Sequence, residues 1–264
     1  MPRKKLLIKV TPGLNKDLRV DNDNVVLRLD KINKSFGGLH VLVDLDFIVN
    51  KEEMLGLIGP NGAGKSTAFN CITSFYKPDK GNIFFMGKNI TGAPSHKICH
   101  LGISRTYQLV RTFLKMTAFE NVMVAAVYGG KHPGSSPRER ALDSLDLVGL
   151  SAKKDIMAAH LTLSERRLLD IAASLASVPK LTLLDEPMAG LNQVEIENLT
   201  EVIQKVRKAR KLSIIWIEHK VDAILEGCDR VVVLDYGEKI ADGIPDEIVN
   251  NPKVIEAYLG EPVA

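Results

Sequence analysis

From Val25 the chain alternates apolar and polar residues, Val-Val-Leu-Arg-Leu-Asp-Lys-Ile, and after Gly37-Gly38 it alternates again from Val41 to Val49. A period of two with a glycine turn between predicts two strands of a half-buried antiparallel sheet. Met54 to Ile58 is continuously apolar and predicts a buried strand, followed by a helix from Ser66 to Phe75. Gly81 to Gly87 and Ile103 to Gln108 read as further strands. The period then changes. From Phe113 to about Val178 it is helical: Met116, Phe119, Met123 and Ala126 share one face, Gly129 to Pro137 breaks the pattern, and helices are predicted over Glu139 to Leu147 and Ser164 to Leu175. Strands return at Leu181 to Asp185, Ser213 to His219 and Arg230 to Asp235, with helices over Val194 to Ala209 and from Val221. Strands alternating with helices predict a mostly parallel sheet. The expected fold class is therefore α/β, with an antiparallel β part before it and a helical subdomain inserted at about 111–178. One domain is expected over 25–264. Residues 1–24 form an extension with one apolar patch, Leu6 to Val10, and then Asn/Asp-rich sequence.

Composition narrows the function classes. A chain of 264 residues with 45% hydrophobic and 25% charged residues can bury a sizeable core, yet no stretch reaches the roughly eighteen apolar residues of a membrane span. A net charge of +3 with both signs interspersed gives no clustered basic footprint, so no nucleic-acid partner is expected. Cys71, Cys99 and Cys228 are odd in number and lack metal-ligand spacing, which fits thiols in a reducing compartment. Lys4 and Lys5 precede an apolar run too short for a signal segment, so no targeting segment is expected.

The chemistry concentrates at Gly59, Pro60, Asn61, Gly62, Ala63, Gly64, Lys65, Ser66 and Thr67. Gly59 through Ser66 fit G-x-x-x-x-G-K-[ST], between a predicted strand and a predicted helix, which is the context a phosphate-binding loop requires. The glycines let backbone N–H groups curl around an anion, the helix aims its positive end at it, Lys65 reaches the β/γ-phosphates, and the Ser66 hydroxyl is placed for Mg²⁺. A glycine-rich turn alone would explain the glycines but not the Lys-Ser pair. Asp185 and Glu186 end a hydrophobic strand, where the first can join a metal shell and the second can take a proton from an attacking water. His219 also ends a buried-looking strand, either as a structural histidine or at the sheet edge where ligands of α/β proteins bind. Phe36, at the bend between two strands, either packs in the core or stacks on a purine.

Gly59 to Thr67, Gln108, Leu161-Thr-Leu-Ser-Glu165, Leu184-Asp-Glu-Pro187, Ala189-Gly-Leu-Asn192 and His219 occur in the order of Walker A, Q-loop, signature, Walker B, D-loop and H-loop. In that order they resemble an ABC-transporter ATPase subunit, over roughly Val25 to Gly260. Arg105-Thr-Tyr-Gln108, Phe113, Met116-Thr117 and Glu120-Asn-Val122 narrow the resemblance, as does the tail with Gly243, Pro245, Glu247, Ile248, Asn251-Pro252, Val254-Ile255 and Ala257-Tyr-Leu-Gly260. The match is then similar to the ATP-binding subunits of branched-chain amino acid importers.

The resemblance implies a RecA-like P-loop core that binds ATP and Mg²⁺. It implies Phe36 against adenine, Ser66, Gln108 and Asp185 around the metal, Glu186 as base, and His219 at the γ-phosphate. Implied partners are transmembrane permease subunits, a second ABC ATPase subunit in a homo- or heterodimer and, indirectly, an extracytoplasmic solute-binding protein. The implied location is cytoplasmic, on the inner face of the membrane. Two rival readings are a soluble ABC ATPase outside transport and an ATP-binding regulatory subunit with weak hydrolysis.

Two departures favour the second rival. The family signature Leu-Ser-Gly-Gly-Gln reads Leu161, Thr162, Leu163, Ser164, Glu165 here, and Asn192 replaces the usual D-loop Asp. Leu163 adds bulk and Glu165 a negative charge where another subunit's γ-phosphate is expected, so a weakened cross-site is expected. Thr162-x-x-Glu165 also fits a capping box, so the helix itself is expected to form.

Overall fold

The alternating segments pair because each hides one face. In a computed structural model describing residues 24–108, 111–130 and 134–259, β1 (Val25–Phe36) and β2 (Leu39–Asn50) run antiparallel around a turn at Gly37. The 1–23 extension with its Leu6 to Val10 patch, residues 131–133 of the Gly129 to Pro137 break, and Gly260 of the tail lie outside the described residues. After β3 (Met54–Ile58) and α1 (Lys65–Ile72), β4 (Lys80–Phe85) and β5 (Lys88–Asn89) complete a four-stranded antiparallel sheet in the order β2-β1-β4-β5.

Next come α2 (Ser95–Leu101), β6 (Ile103–Arg105), α3 (Ala118–Tyr128), α4 (Pro137–Leu147) and α5 (Leu163–Ala176). They are followed by β7 (Leu181–Asp185), α6 (Gln193–Arg210), β8 (Ser213–Ile217), α7 (Val221–Gly227), β9 (Arg230–Asp235), β10 (Glu238–Gly243), α8 (Pro245–Val249) and α9 (Pro252–Leu259). The second sheet has the order β10-β9-β3-β8-β7-β6, parallel except for β10.

The parallel strands are buried on both faces, which is why their sequences read as apolar runs. Leu55, Leu57, Leu181, Leu183, Ile215, Ile217, Val232 and Leu234 face the antiparallel sheet and α1. Met54, Ile58, Leu184, Ile214, Trp216, Val231 and Val233 face the helices on the other side. Each fully buried side chain of this size is worth about 1.5–3 kcal/mol, so the two faces together fix the sheet in place. α6 shows the helical counterpart, burying Ile196, Leu199, Ile203 and Val206 at three- and four-residue spacing.

Several element ends differ from the sequence expectation. β6 stops at Arg105 rather than Gln108: Thr106 N–H still donates to Leu183 O, but Tyr107 and Gln108 turn towards α5. α1 ends at Ile72, since Ser74 takes φ 57° and reverses the chain before Phe75. β8 ends at Ile217, leaving Glu218 and His219 beyond the strand. α3 begins only at Ala118, because Thr117 caps it and leaves Met116 outside the helix. The short α2, β5 and β10 carry too little periodicity to be predicted.

Candidate functional site

Four parallel strands deliver the predicted residues to one edge of the sheet. β3 runs into the glycine loop, β7 ends in Asp185, β8 leads to His219 and β6 leads to Gln108. Their carboxyl ends face a crevice, the place where open α/β sheets bind ligands. The cleft there is lined by Val41, the loop from Asn61 to Thr67, Glu186 and His219.

Glycine is required at both ends of the loop. A Cβ on Gly59 would lie 2.1 Å from Leu234 O, and Gly64, at φ 100°, would place one 2.7 Å from Val41 O. A side chain at either position would push the loop off the sheet. Lys65, only 6% exposed, folds its ammonium back along the loop and donates to Gly59 O at 2.6 Å and Pro60 O at 2.9 Å. Burial lowers its pKa, while the nearby Glu186 and Asp185 charges work the other way. Ser66 is exposed to the cleft at the first turn of α1 and Thr67 is half-buried. Tyr258 of α9 (Pro252–Leu259) comes up to Gly59 at the start of the loop. Burial pushes the Tyr258 phenol up, and the Gly59 N–H facing it works against that shift.

Glu186 is the meeting point. Its Oε2 accepts from Gln108 Nε2 at 2.7 Å and its Oε1 faces His219 Nε2 at 2.9 Å, as suits the tautomer with the proton on Nε2. Its backbone sits at φ 49°, a left-handed conformation that a non-glycine residue holds only when its surroundings impose it. The restraint comes from the Glu186 N–H on Ile217 O and from Glu218, whose buried carboxylate accepts from Met188 N–H at 2.7 Å. Burial raises the Glu218 pKa, and the Met188 and His219 N–H groups oppose the rise.

Asp185 has a buried counter-ion that the sequence did not disclose. Arg105 Nη2 donates to Asp185 Oδ2 at 2.6 Å and its Nη1 to Asn70 Oδ1 at 2.7 Å, with both side chains of the ion pair under a tenth exposed. The guanidinium carbon also lies 4.9 Å from the Tyr107 ring centroid and 5.5 Å from that of Phe69. No spacing rule links residues 80 positions apart, although a buried acid at a strand end implies some partner.

Phe36 stands at the outer end of β1, 41% exposed, and does not line the cleft. Its ring meets Tyr76 edge-on at 4.9 Å, and Lys34 Nζ lies 5.3 Å from its centroid. Val41, on the following strand, reaches the cleft instead.

The altered signature forms the amino-terminal turn of α5. Leu161 is buried, Thr162 and Leu163 are exposed, and Ser164 and Glu165 are half-buried. Glu165 N–H donates to Thr162 Oγ1 at 3.2 Å and Thr162 N–H to Glu165 Oε2 at 2.9 Å, the reciprocal capping box. The other carboxylate oxygen pairs with Lys153, which is the main cause of the lowered Glu165 pKa. Both oxygens of Glu165 are thus engaged by its own chain. Leu163 leans on the D-loop, its Cδ2 3.1 Å from where a Gly190 Cβ would stand. Asn192 caps α6 in the same reciprocal way with Glu195, and asparagine serves there as well as aspartate.

A second concavity, a groove of about 380 Å³, runs between β6 and the helices α2, α3 and α5, with Ile98, Phe113, Val124 and Tyr128 in its walls. Asp170 sits in the same wall. Burial raises its pKa to about 6, against the Tyr107 N–H and Arg167. Among the described residues no helix is long and apolar enough to cross a membrane.

Comparison with known proteins places this geometry. Residues 42–189 match the family model described as ABC transporter, and residues 238–264 that of the branched-chain amino acid ATP-binding cassette transporter. The chain is 37% identical over 250 residues to the high-affinity branched-chain amino acid transport ATP-binding protein LivG of Escherichia coli strain K12, covering 89% of this chain and 98% of that one. It is 38% identical to BraF of Pseudomonas aeruginosa, named for the same transport, with the same coverage. Among solved structures, the ADP conformation of MJ1267, an ATP-binding cassette of an ABC transporter, superposes with a TM-score of 0.81 at 32% identity, over 90% of this chain and 99% of that one. The RecA-like cassette fold, the cleft built on a phosphate-binding loop and these relatives agree: the chain belongs to the ABC transporter family, as one of its ATP-binding, ATP-hydrolysing cassettes.

Proposed function

We propose that this cassette powers uptake of branched-chain amino acids through partner permease subunits, from the cytoplasmic face of the membrane. The observation that carries the hydrolytic part is Glu186, buried beside the loop lysine with Gln108 and His219 each on one of its oxygens. Held there, the carboxylate is set to take the proton of a water attacking the γ-phosphate, with His219 contacting that phosphate and Gln108 orienting the water. The loop from Gly59 to Thr67 supplies N–H groups and Lys65 supplies charge to the phosphates. Phe36 lies outside the cleft lining, and stacking on adenine would use its exposed face.

The donors near the loop suit Mg²⁺. Ser66 hydroxyl, Gln108 and Asp185 present oxygen alone, the preference of a hard cation, and Arg105 engages only one of the two Asp185 oxygens. Bound there, the ion would neutralise phosphate charge. Ser66, Gln108 and Asp185 would hold it, with Asp185 oriented by Arg105.

Cargo and partners follow from the relatives, whose names state branched-chain amino acid transport. We assign the permease contact to the groove, because its walls include both β6, which leads to Gln108, and the signature helix α5. A segment docked there would touch both. A second ATPase subunit, identical or homologous, would complete each ATP site with its signature turn, and a solute-binding protein would act outside the membrane.

The test is reconstitution of the chain with its permease subunits and a panel of solutes. Leucine, isoleucine or valine should stimulate ATP turnover through the matching binding protein, and turnover that answers to none of them would reject the cargo assignment.

A further inference from the structure

We propose that Arg167 is a positioning residue for hydrolysis, clamping the signature helix to the two backbone segments that hold Gln108 and Glu186. The proposal rests on the reading of Glu186 as base.

Arg167 lies two residues beyond the signature, on the buried face of α5, and is 6% exposed. A buried guanidinium ordinarily answers a carboxylate. Among the described residues no carboxylate is in ion-pair reach of it, and its Nη N–H groups go to three backbone carbonyls. Nη1 donates to Gln108 O at 2.7 Å and to Tyr107 O at 3.3 Å, and Nη2 donates to Ala189 O at 3.2 Å. Asp170, Glu218 and Glu186 surround it at longer range and favour its charge, while burial lowers its pKa.

The three carbonyls belong to the segments that matter. Gln108 places its amide on Glu186, and Ala189 closes the turn after Glu186 by donating its N–H to Glu186 O at 3.3 Å. One rigid, forked cation therefore fixes α5, the Gln108 segment and the Glu186 turn relative to one another, and only a planar fork can reach them together. Asp170, one turn further along α5, faces the Tyr107 N–H and holds the same segment from its other side. A shift of α5 is then carried to the Gln108 amide rather than absorbed by a loose loop. None of these contacts reaches Lys65 or the glycine loop, so nucleotide affinity and hydrolysis should separate.

The experiment uses the full-length chain with its permease subunits, and measures kcat, KM for ATP, and affinity for a fluorescent ADP analogue. Arg167→Ala should leave ADP affinity and KM within about twofold and lower kcat by about 10²-fold, the scale of a misplaced catalytic group. Arg167→Gln, which keeps amide donors without the fork, should fall between. Because part of the effect runs through Gln108, Arg167→Ala added to Gln108→Ala should cost clearly less than the product of the two single losses. Wild-type kcat in Arg167→Ala, losses that multiply in the double variant, or a parallel loss of ADP affinity would each overturn the clamp. So would failure of both single variants to give a folded chain by circular dichroism, which would place Arg167 in the core's stability alone. Glu186→Gln in the same preparation separates the premises: if it turned over normally, the base assignment would fall, while the 167–108 coupling is still read from the double variant.

Discussion

The phosphate loop and the signature turn, each at the start of a helix, are built by opposite means. At the loop, bare backbone does the work: Gly59 and Gly64 sit where no side chain fits, and Lys65 lies along the loop's own carbonyls. At the signature turn both glycines are replaced, and side chains cap the helix instead, with Thr162 and Glu165 satisfying its first N–H groups and Lys153 balancing the charge. The difference shows which departures from a pattern matter. A glycine required by close approach tolerates nothing, whereas a helix terminus accepts any residues that satisfy its N–H groups.

The same contrast bears on the expectation drawn from Glu165. A carboxylate aimed at a phosphate would repel it, but both oxygens of Glu165 are turned back onto Thr162 and Lys153. The charge is answered within the chain. Leu163, by leaning on Gly190, places part of its bulk against the D-loop.

The largest expected effect breaks the loop side. Lys65→Ala should abolish nucleotide binding while leaving the fold intact, because the lysine's ammonium hydrogen-bonds to carbonyls of its own loop. A nucleotide titration alongside circular dichroism checks both halves, and normal binding would remove the loop from its role.

A smaller effect is expected at the caps. Thr162→Ala and Asn192→Ala should each lower stability by about 1 kcal/mol, the usual loss of an N-cap, read as a drop in the denaturation midpoint. Equal stability of both variants would mean that the capping boxes do not hold in solution.

Asp170 gives a pH signature in the signature helix. Its folded pKa is raised, to about 6 from an ordinary 3.8, so its contribution to stability is present below the ordinary value and is lost as pH rises through about 6. Asp170→Asn should remove that decline. Thermal melts of both proteins between pH 5 and 8 should diverge as pH rises, with the variant the more stable at pH 8; parallel curves would show that Asp170 is not destabilised when ionised.

The smallest effect is the sharpest on the signature. Glu165→Gln should change turnover little and stability by only about a few tenths of a kcal/mol, since the amide oxygen can still accept from Thr162 N–H and the lost pair is with the exposed Lys153. A marked rise in turnover would show that the carboxylate does meet the partner site's phosphate after all.

Much of this was legible beforehand, for physical reasons. The phosphate loop, the Asp185-Glu186 pair and the alternating strands declare themselves because each is local: a spacing, a period, or a strand that ends in an acid. The capping box at Thr162 was equally local. What escaped was set by distance in sequence. Arg105 on Asp185 and Arg167 on Gln108 and Ala189 join positions 80, 59 and 22 residues apart, and nothing in the surrounding period marks either arginine as buried. The short α2 and β10 escaped because two turns of helix or a six-residue edge strand have little pattern to show. Phe36 was placed by resemblance, and its position beyond the cleft lining depends on how the β1–β2 turn packs on Tyr76.

The central claim is that Glu186 activates the attacking water, and Glu186→Gln tests it most directly. The amide keeps the shape and one acceptor oxygen for Gln108 or His219, gives up the other to a donor NH₂, and takes up no proton. In the reconstituted complex, ATP affinity should stay near wild type while turnover falls by about 10²- to 10⁴-fold, the range for loss of a general base; turnover within a few-fold of wild type would contradict the account.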